Sequence, residues 1–230
     1  MTLHPSEHTE IKECVILLHG LARSDGSLSK LEASLNNAGY HTVNHDYSST
    51  KHKTEKLAFD AITLALTKCP KGHRKIHFVT HSIGGILVRQ YLSCHTITNL
   101  GRVVMLGPPN KGSQVVDKLK NFPGFKLIHG PAGMQLGTGE MSIPNRLGPA
   151  NFEVGIIAGT RSINLILSTM LPNPDDGKVS VENTKLEGMS DHIALPVTHP
   201  FMMNNKKVIR QVIHFLEHGV FERENIKTDN

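Results

Sequence analysis

A chain of 230 residues with 38% apolar and 20% charged side chains can bury the core of one α/β domain, and no apolar run in it is long enough to span a bilayer. Its Lys and Arg are scattered rather than clustered, so the net charge of +5 argues against a nucleic-acid partner. The mildly basic balance fits anionic substrates or transient contact with a membrane surface.

Residues Met1 to Lys12 are polar and read as peripheral, without the basic and long apolar segments of a signal peptide. Cys14-Val15-Ile16-Leu17-Leu18 is a continuous apolar run, the pattern of a strand buried on both faces. It leads into the loop His19-Gly20-Leu21-Ala22-Arg23-Ser24. Leu28, Leu31 and Leu35 recur at helical spacing between Ser27 and Asn37, with Gly39 as the C-cap. Tyr40 to Asp46 alternates as a second strand, Ser48 to Lys53 is a polar loop, and Leu57 to Leu66 is an amphipathic helix closed near Pro70. Ile76, Phe78 and Val79 mark a third strand, and Ile86 to Tyr91 the helix behind it.

Arg102 to Leu106 reads as a fourth strand and Gln114 to Lys120 as a short helix. From Asn121 to Asn151, Gly and Pro recur and periodicity is lost, which predicts an irregular, lid-like segment rather than a linker. Its apolar residues (Phe122, Phe125, Leu127, Ile128, Met134, Leu136 and Met141) either pack over the sheet edge or line an acyl groove. Phe152 to Ala158 is a fifth strand, Asn164 to Met170 a helical turn or two, His192 to Val197 a sixth strand, and Lys207 to His218 a final amphipathic helix. Glu222 to Asn230 reads as frayed. Cys14, Cys69 and Cys94 lack metal-site spacing and leave one thiol unpaired in any disulfide scheme, so reduced thiols in a cytoplasmic protein are expected.

Strands alternating with helices imply a compact, mostly parallel sheet of about six strands with helices on both faces. In such folds the chemistry sits at the carboxyl ends of the strands. His19-Gly20, Ser82, Asp176 and His199 all follow predicted strands or lie in loops between them. Thr80-His81-Ser82-Ile83-Gly84 is close to a G-x-S-x-G nucleophile elbow, with Thr80 in place of the first glycine. An ordinary strand-to-helix turn capped by Ser82 is the alternative reading of the pentad alone.

Taken together, these motifs resemble the α/β-hydrolases of the bacterial lipase/esterase type. The matching residues are His19-Gly20-Leu21, the elbow at Ser82, Pro109-Asn110-Lys111-Gly112-Ser113, Gly159-Thr160, Asp176-Gly177-Lys178-Val179, Leu186-Glu187-Gly188 and His199. They occur in the family's order, with nucleophile, acid and histidine following one another along the chain. The resemblance implies an α/β-hydrolase fold without a large cap domain, a single domain over residues 1–230, and an ester hydrolase with a small-molecule ester or lipid substrate. It implies Ser82 as nucleophile, His199 as base, Asp176 as acid, and the backbone N–H groups of Leu21 and Ile83 as oxyanion donors. His19, Gly20, His81 and Gly84 would support the elbow and its facing loop. A monomer without a cofactor is expected.

The acid lies between Asp175 and Asp176. The family places it immediately before a glycine, which selects Asp176 and leaves Asp175 as a solvated carboxylate or helper. Of the 15 histidines, His41, His45, His73, His77 and His214 fall on strands or helices and read as surface or packing residues. His199 precedes the last helix, as in the family, whereas His192 begins the preceding strand. Asp117 and Asp191 read as structural. Phe201 stands where secreted relatives carry a calcium-binding acid, so no calcium site is expected, and no compact His/Glu motif suggests zinc. A thioesterase or acyltransferase would use the same residues, and a non-catalytic binding protein of the same fold is the alternative from another class.

Overall fold

The apolar run Cys14–Leu18 forms strand β1, and every one of its residues is fully buried. The computed structural model describes residues 13–163 and 168–223. Around β1 lie β2 (His41–His45), β3 (Ile76–His81), β4 (Leu100–Leu106), β5 (Val154–Gly159) and β6 (Asp191–Leu195). All pair in parallel, in the order β2-β1-β3-β4-β5-β6. From β1 the chain moves to β2 on one side and returns to β3 on the other. The loops leaving β1 and β3 therefore diverge and open a crevice at their carboxyl ends, the usual ligand position in open α/β sheets.

Alternation along the strands builds two cores. Cys14, Ile16, Leu18 and Phe78 face α2 (Thr54–Lys68) and α3 (Ile83–Leu92), whereas Val15, Leu17 and Val79 face α1 (Ser29–Asn37) and α8 (Lys206–His218). Each aliphatic side chain moved from water into these layers contributes about 1.5–3 kcal/mol. Helix α8 presents Val208, Ile209, Val212, Phe215 and Leu216 inward. It is capped by the Asn205 side chain, which accepts from Lys207 N and Val208 N, and it ends at Gly219 in the left-handed region. Short helices α4 (Gln114–Leu119), α5 (Phe125–Met134), α6 (Ile143–Arg146) and α7 (Val181–Thr184) lie on the connections. Among the described residues no helix is long and apolar enough to cross a membrane, and no large cap is built over the sheet.

Within the fold the structure departs from the sequence reading at the 121–151 segment, at the cysteines and at the C-terminal residues. The Asn121–Asn151 segment carries two helices, because α5 consists of short helical pieces joined at Gly130 (φ 64) and Pro131, neither long enough to show a helical period. Of its apolar residues, Phe125 and Leu136 are buried, while Phe122, Leu127, Ile128 and Met141 are exposed. Cys14 and Cys69 form a disulfide with a Cα–Cα distance of 6.0 Å, so the expectation of three reduced thiols fails and Cys94 is the free one. Both bonded residues belong to the core between the sheet and α2, a proximity that an odd cysteine count cannot reveal. Glu222 and Arg223 are tied down rather than frayed, by Gln211 and Asp191 respectively. Residues 164–167 and 224–230, on which parts of the expected helical turn and frayed tail fall, lie outside the described residues.

Candidate active site

Ser82 joins β3 to α3 with φ 54 and ψ −119, a conformation that costs an L-residue energy and is held by Ser82 N donating to Leu106 O at 2.8 Å. The close strand–helix approach needs a glycine at 84, where a Cβ would stand 2.7 Å from Leu18 O and 3.2 Å from Thr80 Cβ. With Gly84 supplying that clearance, Thr80 is accommodated in place of the first glycine of the motif. Ile83 is the first residue of α3, so its N–H has no intrahelical acceptor and points out of the helix end.

Asp176 and His199 meet at one short bond, His199 Nδ1 to Asp176 Oδ2, 2.7 Å. The carboxylate is fully buried, and its other oxygen accepts from Lys178 N and Val179 N, each at 2.9 Å. An ionised carboxylate only accepts, so Nδ1 carries the proton and Nε2 of neutral His199 keeps its lone pair. The backbone fastens the pair again, with His199 N donating to Asp176 O at 3.0 Å. His81 Nε2 donates to His199 O at 3.0 Å, and burial, followed by the neighbouring His199, pushes the His81 imidazole well below its ordinary pKa. Gly107, at φ +55 after β4, makes room for the pair: a Cβ there would lie 3.0 Å from Asp176 Oδ2 and 3.1 Å from His199 Nδ1.

The loop after β1 is fixed from β2 onward. Buried His19 stacks on Tyr47 with ring centroids 4.2 Å apart, and Tyr47 Oη donates to His19 O at 2.6 Å. His19 Nδ1 donates to Gly20 O at 2.9 Å. Ala22, also at φ 54, is held by its N–H donating to Ser49 Oγ at 3.0 Å. Gly20 abuts the elbow, since a Cβ there would stand 2.6 Å from His81 Nδ1. These bonds present Leu21 to the space above Ser82.

Leu21, Ser82, Asp176 and His199 line one cavity of about 260 Å³. Val115, Val116, Phe125 and Leu136 form an apolar wall, and Arg23, Lys178 and His129 add basic groups. Among the described residues no cluster of three His, Cys, Asp or Glu side chains is placed to hold a metal ion.

No family model and no curated protein sequence matches the chain. Solved structures do. The mature form of a Bacillus licheniformis lipase superposes with a TM-score of 0.65 at 20% identity, over 87% of this chain and 90% of that one. A metagenomic carboxyl esterase gives 0.64 at 17%, over 83% of this chain and 65% of that one. A Legionella pneumophila phospholipase gives 0.58 at 18%, over 76% of this chain and 46% of that one. The chain has the α/β-hydrolase fold of these structures. At these identities the likeness is one of fold.

Within this α/β-hydrolase fold the structure brings Ser82, His199, Asp176 and Leu21 together, with His81 and Gly84 beneath them. It keeps the competing residues away. His192 sits on β6, its Nε2 bonded to Thr184 Oγ1 at 3.0 Å. Asp191 pairs with Arg223 at 2.5 Å, and Asp117 accepts from Thr138 N and Oγ1. Of the two readings of Asp175, burial excludes the solvated carboxylate and leaves the helper: it accepts from Ser168 Oγ and Gly177 N, each at 2.7 Å, and so shapes the turn that carries Asp176. Sequence reasoning missed Gly107, Tyr47 and Ser49, which no short motif marks, and gave no role to Arg23 and Lys178, although both adjoin motifs it used.

Proposed function

We propose that this protein is a serine hydrolase that cleaves carboxylic esters through an acyl-enzyme intermediate. The observation that carries this reading is Ser82 held at positive φ on the strand–helix elbow, in one cavity with a histidine whose Nδ1 is committed to a buried carboxylate. His199 Nε2 takes the hydroxyl proton as Ser82 Oγ bonds to the ester carbonyl carbon. The carbonyl oxygen, now negative, accepts from the N–H groups of Ile83 and Leu21, and loss of one such donor typically costs about 10²–10³ in rate. The C–O bond to the alcohol breaks as His199 returns the proton to it. Water then attacks the acyl group by the same route and frees Ser82. Asp176 holds the imidazole in the required tautomer and stabilises the imidazolium.

The small cavity and its apolar wall support short-to-medium acyl chains, each buried methylene contributing up to about 0.8 kcal/mol until the wall ends. The substrate is read as a dissolved ester met by a monomeric, single-domain enzyme. A cytoplasmic location was expected from three reduced thiols; the Cys14–Cys69 bond removes that ground and favours an oxidising compartment.

A fluorophosphonate probe and a series of p-nitrophenyl esters test the reading. Ser82 should be labelled, with rates highest at short-to-medium chains. Ser82→Ala and His199→Ala should each abolish hydrolysis and leave thermal unfolding cooperative. An unlabelled Ser82, or full activity in His199→Ala, would refute it, and a maximum at long chains with a jump at droplet formation would make the 121–151 segment a true lid.

A further inference from the structure

Arg23 and Lys178 stand in the cavity of Ser82, yet neither has a role in the chemistry above. They come from separate loops that are both anchored to the machinery. Arg23 follows Leu21 by two residues, next to the Ala22 N–H held by Ser49, and Lys178 N bonds Asp176 Oδ1. Their side chains are exposed and free of ion pairs among the described residues. Elsewhere Arg102, Lys111, Lys185, Arg210 and Arg223 each have a carboxylate within reach. The cavity offers no such partner: its one carboxylate, Asp176, is spent on His199 and two backbone N–H groups. Arg23 and Lys178 also lie close enough to act on one another. The Lys178 side chain reaches solvent, but the loops crowded around its ammonium first, and the charge of Arg23 second, push it below its ordinary pKa against the pull of Asp176.

Two like charges whose one neighbouring carboxylate, Asp176, is already engaged by His199 and two backbone N–H groups repel, and a bound anion would relieve the repulsion and gain charge-assisted hydrogen bonds. The same cavity has an apolar part of its lining, through Val115, Val116, Phe125 and Leu136. One ligand satisfies both halves: an acyl chain against that wall, with an anion beyond the ester bond. A guanidinium fork and an ammonium together supply donors to the several oxygens of a phosphate group.

We propose that Arg23 and Lys178 form a subsite for a phosphate-type anion carried on the alcohol side of the ester that Ser82 attacks. The proposal rests on the hydrolase reading for its ester, but its charge recognition is measurable without turnover.

The test compares hexanoyl-glycerol with hexanoyl-glycerophosphate as substrates, and hexanol with hexyl phosphate as ligands in calorimetry. Wild-type protein should favour the phosphate-bearing member of each pair by about tenfold or more, and the preference should shrink as salt rises from about 50 to about 500 mM. In the double variant Arg23→Gln, Lys178→Gln, whose changes are on the surface, both ratios should fall toward one. Vesicles of long-chain phosphatidylglycerol form a further arm. Phosphate-dependent turnover confined to the dissolved ester marks a soluble phosphoester, and turnover of the vesicles as well marks a lipid headgroup; either supports the subsite. Equal treatment of both members of each pair by wild-type protein, or ratios unchanged in the double variant, would overturn it while leaving ester hydrolysis standing. If neither ester is cleaved but hexyl phosphate still binds in an Arg23- and Lys178-dependent way, the hydrolase reading fails and the anion subsite survives.

Discussion

Gly107→Ala probes the site without replacing any of the proposed reacting groups. At φ +55 an alanine carries the left-handed backbone cost, about 1–2 kcal/mol, offset by about 0.4–1 kcal/mol from a stiffer unfolded chain. Gly39→Ala provides the control, because Gly39 also has a positive φ (+96) but nothing lies within 4 Å of its Cβ. Both variants should therefore lose roughly 1 kcal/mol from the backbone alone. Only Gly107→Ala adds a methyl 3.0 Å from Asp176 Oδ2 and 3.1 Å from His199 Nδ1, the two atoms that share the 2.7 Å bond. The methyl must push them apart or aside by a few tenths of an ångström, and misplaced catalytic groups cost up to about 10²-fold in rate. Urea unfolding and kcat/KM on a p-nitrophenyl ester separate the effects. Matching stability losses with a rate loss confined to Gly107→Ala are expected; equal kcat/KM in the two variants would refute the reasoning.

Asp176→Asn should reduce kcat by as much as about 10⁴-fold, whereas Asp175→Ala should act on stability, by about 1–3 kcal/mol, because it leaves the Gly177 N–H and the Ser168 hydroxyl without their acceptor. Comparable losses of kcat at equal stability would assign the acid to both. In unreduced, denatured protein a thiol reagent should find Cys94 alone, and reduction of the Cys14–Cys69 bond, across a separation of 55 residues, should lower stability by about 4 kcal/mol; three reactive thiols before reduction would rule the bond out. The buried His81 stays neutral in the fold while its unfolded counterpart takes up a proton below about pH 6.5, so its share of stability is present above that pH and is lost as pH falls toward the depressed folded pKa, by up to about 1.4 kcal/mol per pH unit. Urea melts at descending pH should show a shallower fall in His81→Gln; an identical slope would mean that His81 does not stay neutral.

The sheet was legible because burial on both faces leaves an unbroken apolar run such as Cys14–Leu18, and amphipathic helices such as α8 carry their period openly. Ser82, Asp176 and His199 were legible as short motifs in a fixed order. What the sequence hid depends on proximity. Cys69 meets Cys14 only because α2 returns over β1, and Asp175 is buried only because the turn folds back on Ser168 and Gly177. Helix α5 was masked by its own break at Gly130, and Gly107 looks like any loop glycine until the Asp176–His199 pair is placed against it.

The two non-glycine residues at positive φ among the described residues, Ala22 and Ser82, follow β1 and β3, the strands that flank the crevice. This distribution links sequence to site. A strained residue persists only where its surroundings over-determine it. Ser82 N is held by the carbonyl of Leu106 on β4, and Ala22 N by the buried Ser49 hydroxyl beyond β2. Both anchors come from neighbouring strands of the same parallel sheet or the loops that leave them, so the cost of the strained turns is carried by the sheet's own register. The anchors hold the Leu21 loop and the Ser82 elbow at one cavity before any substrate arrives. On the proposed hydrolase reading, a loop free to choose its conformation would have to be ordered in the transition state, whereas these anchored turns are ordered on folding, which is where an electrostatic site would gain most of its effect.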